Sequence, residues 1–181
     1  MKLPTREQCL QWYEDIGTHP DIMKHVLMVN KVAVFLAKKL KENNIKINVE
    51  LIDRASLLHD LDKWLCINDD KVKHGYETEK ILIKKGYPEL GYYAKQHVLD
   101  FSLQGFDTWE EKVICYADTR VLRDKIVSLN ERLEYIFERY ANKYSNKEKK
   151  LRKALKKIED EIFSKLDFEP DKLGKLIGQN I

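Results

Sequence analysis

Four times in this chain a Ser or Thr is followed three residues later by Gln or Glu, just ahead of an apolar run: Thr5–Gln8, Thr108–Glu111, Ser128–Glu131 and Ser145–Glu148. That spacing lets the hydroxyl accept from a free amide of a first helical turn while the longer side chain reaches back. Only 7 Gly and 4 Pro interrupt the 181 residues, so few tight turns are encoded. An all-α fold is expected. The first helix is expected over residues 5–16, with a break at Gly17-Thr18-His19-Pro20. A long second helix carries Ile22, His25, Val29, Val32 and Leu36 on one face and ends at Asn43-Asn44. Asn48 suits the cap of a third, whose stripe Leu51, Ile52, Ala55 and Leu58 leads into His59-Asp60. His74 opens the next helical stretch, which Gly86 stops; Pro88 suits the first position of a helix carrying Tyr92, Tyr93 and His97. The Thr108 box starts a helix expected to run through Val113, Ile114, Ala117, Asp118 and Val121.

The length suits one domain. Residues 1–140 read as a helical domain and 141–181 as a charged helical extension, with ANKYSNKEKK (141–150) as the linker. The stripe Leu151, Leu155, Ile158, Ile162 and Leu166 in that extension is expected to pack back on the domain. Net charge is only +3 overall. The extension holds 11 Lys+Arg against 7 Asp+Glu, giving +4, and the rest 22 against 23, giving −1. Neither DNA nor a membrane is expected as a partner, and the basic tail reads as a solvated face. Cys9, Cys66 and Cys115 are too scattered for a disulfide framework or a zinc ribbon. With no apolar leader near the start and no run of 18 apolar residues, a cytoplasmic location is expected.

Chemistry enters where titratable residues occupy apolar positions. His25 lies on the apolar face one turn from Val29, and His59-Asp60 follow Leu57-Leu58. Asp118 stands between Ile114 and Val121-Leu122. Burying an unpaired carboxylate costs several kcal/mol even after relaxation, so a core Asp implies a partner. A divalent cation is a natural one. Imidazole with carboxylate suits Mn, Fe, Co, Ni or Zn, and the second oxygen of Asp60 would be free to bridge to another ion. On the helix carrying Asp118, residues 122 and 125 share its face, with Lys125 at the pocket mouth and Arg123 at its edge as substrate-binding candidates. Trp64, Tyr92, Tyr93 and Trp109 could stack on a base, although aromatics at helical spacing are more often core.

The order His25, His59-Asp60, Asp118 resembles the H…HD…D signature of the HD-domain superfamily of metal-dependent phosphohydrolases. The segments KHVLMVNKVAVFLAKKL, RASLLHDLDKW, HGYETEKIL, AKQHVLDF and TWEEKVICYADTRV follow in matching order over about residues 20–140. The resemblance implies a helical bundle with ligands converging at its centre. It further implies a first ion on His25, His59, Asp60 and Asp118 and, as in the dinuclear branch, a second on His74, His97 and the bridging Asp60. Many relatives read HD-[IL]-G-K where this chain reads HDLDK, so Asp62 replaces a Gly, and Lys63 keeps the lysine that would contact a substrate phosphate.

The activity the resemblance implies is phosphohydrolysis of a small-molecule substrate, a nucleotide ester or anhydride. One or two ions would activate water, with Asp60 and Lys63 as the catalytic pair. Two alternatives share these residues: a di-iron oxygenase of the same superfamily, and a non-catalytic nucleotide-binding module docked through residues 151–166.

Overall fold

The computed structural model describes residues 1–178. Helix α1 spans Arg6–Ile16 and α2 spans Pro20–Glu42; α3 (Val49–Leu58) and α4 (Lys63–Asn68) follow. Next come α5 (Tyr76–Lys84), α6 (Pro88–Lys95), a 3₁₀ segment at Leu99–Leu103 and α7 (Trp109–Asp118). A two-residue hairpin pairs β1 (Val121–Leu122) antiparallel with β2 (Lys125–Ile126). The chain continues with α8 (Leu129–Arg139), α9 (Ala141–Tyr144), α10 (Glu148–Phe163), a 3₁₀ turn at Pro170–Lys172 and α11 (Leu173–Leu176). The architecture is all-α, as expected. No helix among the described residues is long and apolar enough to cross a membrane.

The boundaries follow local chemistry. Thr5 and Thr108 form reciprocal capping boxes with Gln8 and Glu111, and Ser128 accepts from the Glu131 amide. Ser145 does not cap a helix. It closes α9, and α10 starts after Lys147 without a side-chain cap. The stretch 141–150 accordingly contains a helical turn, and its Tyr144 is buried. His19, in the expected break, caps α2 through Nδ1, which accepts from the Asp21 amide at 3.2 Å.

Helix α2 lies at the centre, with α3 and α7 packed along it. Val26, Val29, Val32, Ala33, Leu36 and Leu40 of α2 are fully buried. Fully burying such a side chain contributes about 1.5–3 kcal/mol. A polar cluster pins α1 to this frame: Arg6 pairs with Asp53, and Asn30 donates to the Asp53 carbonyl at 2.8 Å and to Ser56 Oγ at 3.0 Å. Helices α5 and α6 pack as a pair, close enough that a Cβ on Gly91 would meet the Glu79 carbonyl oxygen at 3.0 Å. A side chain at this position would press on the α5 backbone.

Leu151, Leu155 and Ile162 of α10 join the same core, against α7 and the 3₁₀ segment. Just beyond α7 the buried guanidinium of Arg120 binds this layer together. It donates to the carbonyls of Val127 (2.7 Å) and Pro170 (2.9 Å), bonds Tyr116, and lies 3.6 Å from the buried carboxylate of Glu159. Removing one partner of a buried ionic cluster strands the other. Arg120→Ala is therefore expected to lower stability by about 3 kcal/mol, read as a shifted urea midpoint. An unchanged midpoint would show that the cluster contributes nothing.

Candidate metal centre

The six titratable residues of interest come from five places in the chain. His25 projects from the first turns of α2, and His59 is the C-terminal cap residue of α3 with Asp60 next in the turn before α4. His74 lies just ahead of α5, His97 just after α6, and Asp118 is the last residue of α7. The bundle brings all six together. His25 Nε2 is 3.0 Å from Asp118 Oδ1 and 3.9 Å from Asp60 Oδ2. His59 Nε2 is 3.7 Å from Asp60 Oδ2 and 3.9 Å from Asp118 Oδ1. On the other side, Asp60 Oδ1 is 3.2 Å from His74 Nε2 and 3.5 Å from His97 Nε2, and those two nitrogens are 2.9 Å apart. Asp60 thus presents one oxygen to each pair of imidazoles.

The four rings share one orientation. Every Nδ1 faces outward to an acceptor: His25 to the Arg123 carbonyl (2.9 Å), His59 to the Ser56 carbonyl (2.7 Å), His97 to the Ala94 carbonyl (2.8 Å) and His74 to Asp62 Oδ1 (2.7 Å). A proton held at Nδ1 leaves the Nε2 lone pair aimed at the carboxylates, the arrangement of metal-ligating histidine.

These residues fit a metal. Buried polar atoms are almost always satisfied, yet His59 Nε2 is buried with no hydrogen-bond partner, at the place where an ion would sit. Donor atoms about 2.1 Å from one ion lie about 3.0–3.4 Å apart at right-angled or tetrahedral positions. The separations around Asp60 Oδ1, His74 and His97 bracket that range. Two groups, His25-His59-Asp60 and Asp60-His74-His97, could each hold a metal ion, and nitrogen with oxygen donors suits a divalent transition metal.

The charges respond to one another. Burial opposes ionisation of both carboxylates. Lys63, His59 and His74 nonetheless hold Asp60 well below the usual carboxylate range, and His25 and Arg132 do the same for Asp118. Burial also works against protonated imidazole, but Asp118 raises His25, and Asp60 with Asp62 raises His74 well above the ordinary value. Burial and then the charge on His74 push His97 down to about 3. In the ion-free centre His25 and His74 therefore hold a second proton more tightly than His59 and His97 do.

The mouth differs from the sequence expectation. Helix α7 ends at Asp118 and the chain turns into the hairpin, so residues 122 and 125 do not continue its face. Arg123 and Lys125 are exposed; Arg123 serves the centre through its main-chain oxygen, from a left-handed conformation (φ 58). The cations beside the carboxylates are Lys63, which acts on Asp60, and Arg132 of α8, 3.6 Å from Asp118 Oδ1. Arg132 was missed because it lies one turn into a helix of ordinary amphipathic pattern, with no motif to mark it. Of the aromatics, Trp64 stacks on His19 and Tyr92 donates to Glu111 at 2.5 Å.

No protein-family profile matches the chain, and no solved structure does. Two curated proteins are similar to it. An uncharacterized protein of Methanocaldococcus jannaschii is 26% identical over 137 residues, 68% of this chain and 79% of that protein. The tRNA (cytidine(56)-2'-O)-methyltransferase of Picrophilus torridus is 26% identical over 184 residues, 96% of this chain and 50% of that enzyme. The chain thus spans about half the length of the methyltransferase. This likeness corrects the expected activity: the relative aligned with nearly the whole chain is named for methyl transfer to tRNA, not for phosphohydrolysis. The physical reason is that a His/Asp ligand set specifies a cation, not the bond that the cation helps to change.

Because loading must displace protons from the raised His25 and His74, metal affinity falls as pH falls. Zn²⁺ or Co²⁺ is expected to bind at least about tenfold more weakly at pH 6 than at pH 8. Isothermal titration at the two pH values measures this, and an affinity that does not change with pH contradicts it.

Proposed function

We propose that this chain is a metal-binding helical domain of the HD type that holds two divalent ions and works in the enzymatic modification of tRNA. The observation that carries the metal half of the reading is the convergence of four imidazole Nε2 atoms on two buried carboxylates, with His59 Nε2 left unpartnered. His25, His59, Asp60 and Asp118 would hold the first ion, and His74, His97 and Asp60 the second. The tRNA half is supported by the likeness to the Picrophilus methyltransferase. Since the chain spans half of that enzyme, methyl transfer is assigned to the assembly in which such a domain works. The ligand proposed for this chain is a tRNA oxygen.

Bound metal would supply Lewis acidity, polarising a phosphate or ribose oxygen and stabilising negative charge on it. The chain's own residues do the rest. Asp60 and Asp118 fix the charge of the centre, the four outward Nδ1–H bonds fix the rings, and Lys63 and Arg132 place positive charge beside it to favour an anionic ligand.

Elemental analysis and a tRNA-binding titration with and without chelator test this reading. Wild type should carry up to two ions per chain and bind tRNA more weakly once they are stripped. Asp60→Ala, which removes the shared ligand, should lose both ions while keeping its helical circular dichroism. A metal content in Asp60→Ala equal to wild type, or tRNA binding indifferent to chelator, would rule it out.

A further inference from the structure

Asp62 is the residue by which this chain departs from the HD-x-G-K pattern, and it is fully buried. It stands at the start of α4 but makes no cap there. Its carboxylate instead reaches the start of α5. Oδ2 accepts from the amides of Gly75 (2.6 Å) and Thr78 (3.0 Å), and Oδ1 accepts from His74 Nδ1 (2.7 Å). Its own amide donates to Thr78 Oγ1 at 3.1 Å, which locks the turn. Asp62, Cys66 and His74 are close enough to suggest an ion of their own. The two carboxylate oxygens are already engaged, however, and His74 turns its other nitrogen to Asp60 and His97. The triple therefore orients a ligand of the centre already described.

We propose that Asp62 is a positioning residue that fixes the proton of His74 at Nδ1, so that Nε2 is the ligating nitrogen for the second ion. This rests on the two-ion reading above and adds to it which residue decides whether the second ion binds. The other three histidines are oriented by main-chain carbonyls, and His74 alone by a carboxylate. A carboxylate behind a ligating imidazole orients the ring and raises its basicity, and losing such a partner typically weakens metal affinity 10- to 100-fold. His74 lies in the turn ahead of α5, before Gly75 with φ 80.

Asp62→Asn separates this role from a purely structural one. Two main-chain N–H groups face the Oδ2 position, so the amide oxygen must sit there and the NH₂ must face His74 Nδ1. An NH₂ donor there forces the His74 proton onto Nε2, the nitrogen that would ligate. The backbone contacts survive while the ligand is disabled. Titration with Co²⁺, followed by visible absorption and equilibrium dialysis, should show two ions bound by wild type. Asp62→Asn should bind the first ion with wild-type affinity and the second at least tenfold more weakly, its apo thermal midpoint staying near that of wild type. A second measurement does not depend on the variant folding. In Zn²⁺-loaded wild type, long-range ¹⁵N–¹H correlation spectra of labelled histidine should show the His74 ring protonated at Nδ1 and metal-bound at Nε2.

Two ions bound equally by wild type and Asp62→Asn, or zinc on Nδ1 of His74, overturns the role of Asp62 and leaves the metal reading standing. Wild type that takes up no ion overturns both.

Discussion

Asp60 and Asp118 keep their negative charge in a place where burial works against it, and they do so because five basic side chains surround them. Lys63, His59 and His74 lower Asp60; His25 and Arg132 lower Asp118. Desolvating two carboxylates in one locality without such compensation would exceed the few kcal/mol by which a domain of this size is stable. The central helix α2, the turn between α3 and α4, the two ends of the α5–α6 pair and the end of α7 all meet there. Helix ends dominate this inventory. A residue at the last turn or just beyond it can aim its side chain along the helix axis into a shared space, whereas mid-helix residues point sideways at a neighbour.

A consequence is the division of labour around Asp60. Its two oxygens face two different pairs of imidazoles, so the carboxylate is the electrostatic link between them. The proton on His74 and its absence from His97 follow from that link: nitrogens 2.9 Å apart cannot both be charged in a buried setting. A cation that replaces the proton relieves the same constraint.

Much of the helical frame was legible because its signals are local. Thr5 and Thr108 carry full capping boxes, Asn48 caps α3, Pro88 opens α6 and Gly86 adopts the left-handed conformation after α5. The ligand-type residues were legible as polar intrusions into apolar stripes. What was not legible is non-local. Helix α7 ends at Asp118, and two residues on Arg120 turns back onto Val127, Pro170 and Glu159, contacts up to 50 positions distant. That turn removed Lys125 and the Arg123 side chain from the expected pocket face. Arg132 reaches Asp118 from α8, which follows the hairpin in the chain. Ser145 shows the opposite failure, a local motif overruled when the chain found a different helical turn at Ala141–Tyr144. The chemistry was the least legible of all, since the ligand order is compatible with more than one reaction.

Three of the four histidines are steered by carbonyl oxygens of the main chain, at Arg123, Ser56 and Ala94. A peptide oxygen is present whatever amino acid occupies the position, so substitution at those three sites leaves the acceptor in place as long as the backbone holds its path. Drift in the gene is thus nearly silent for His25, His59 and His97. His74 is exposed to it, because its acceptor is encoded by a single codon. A lineage could tune or abolish one half of the centre through position 62 alone while the other half persisted untouched.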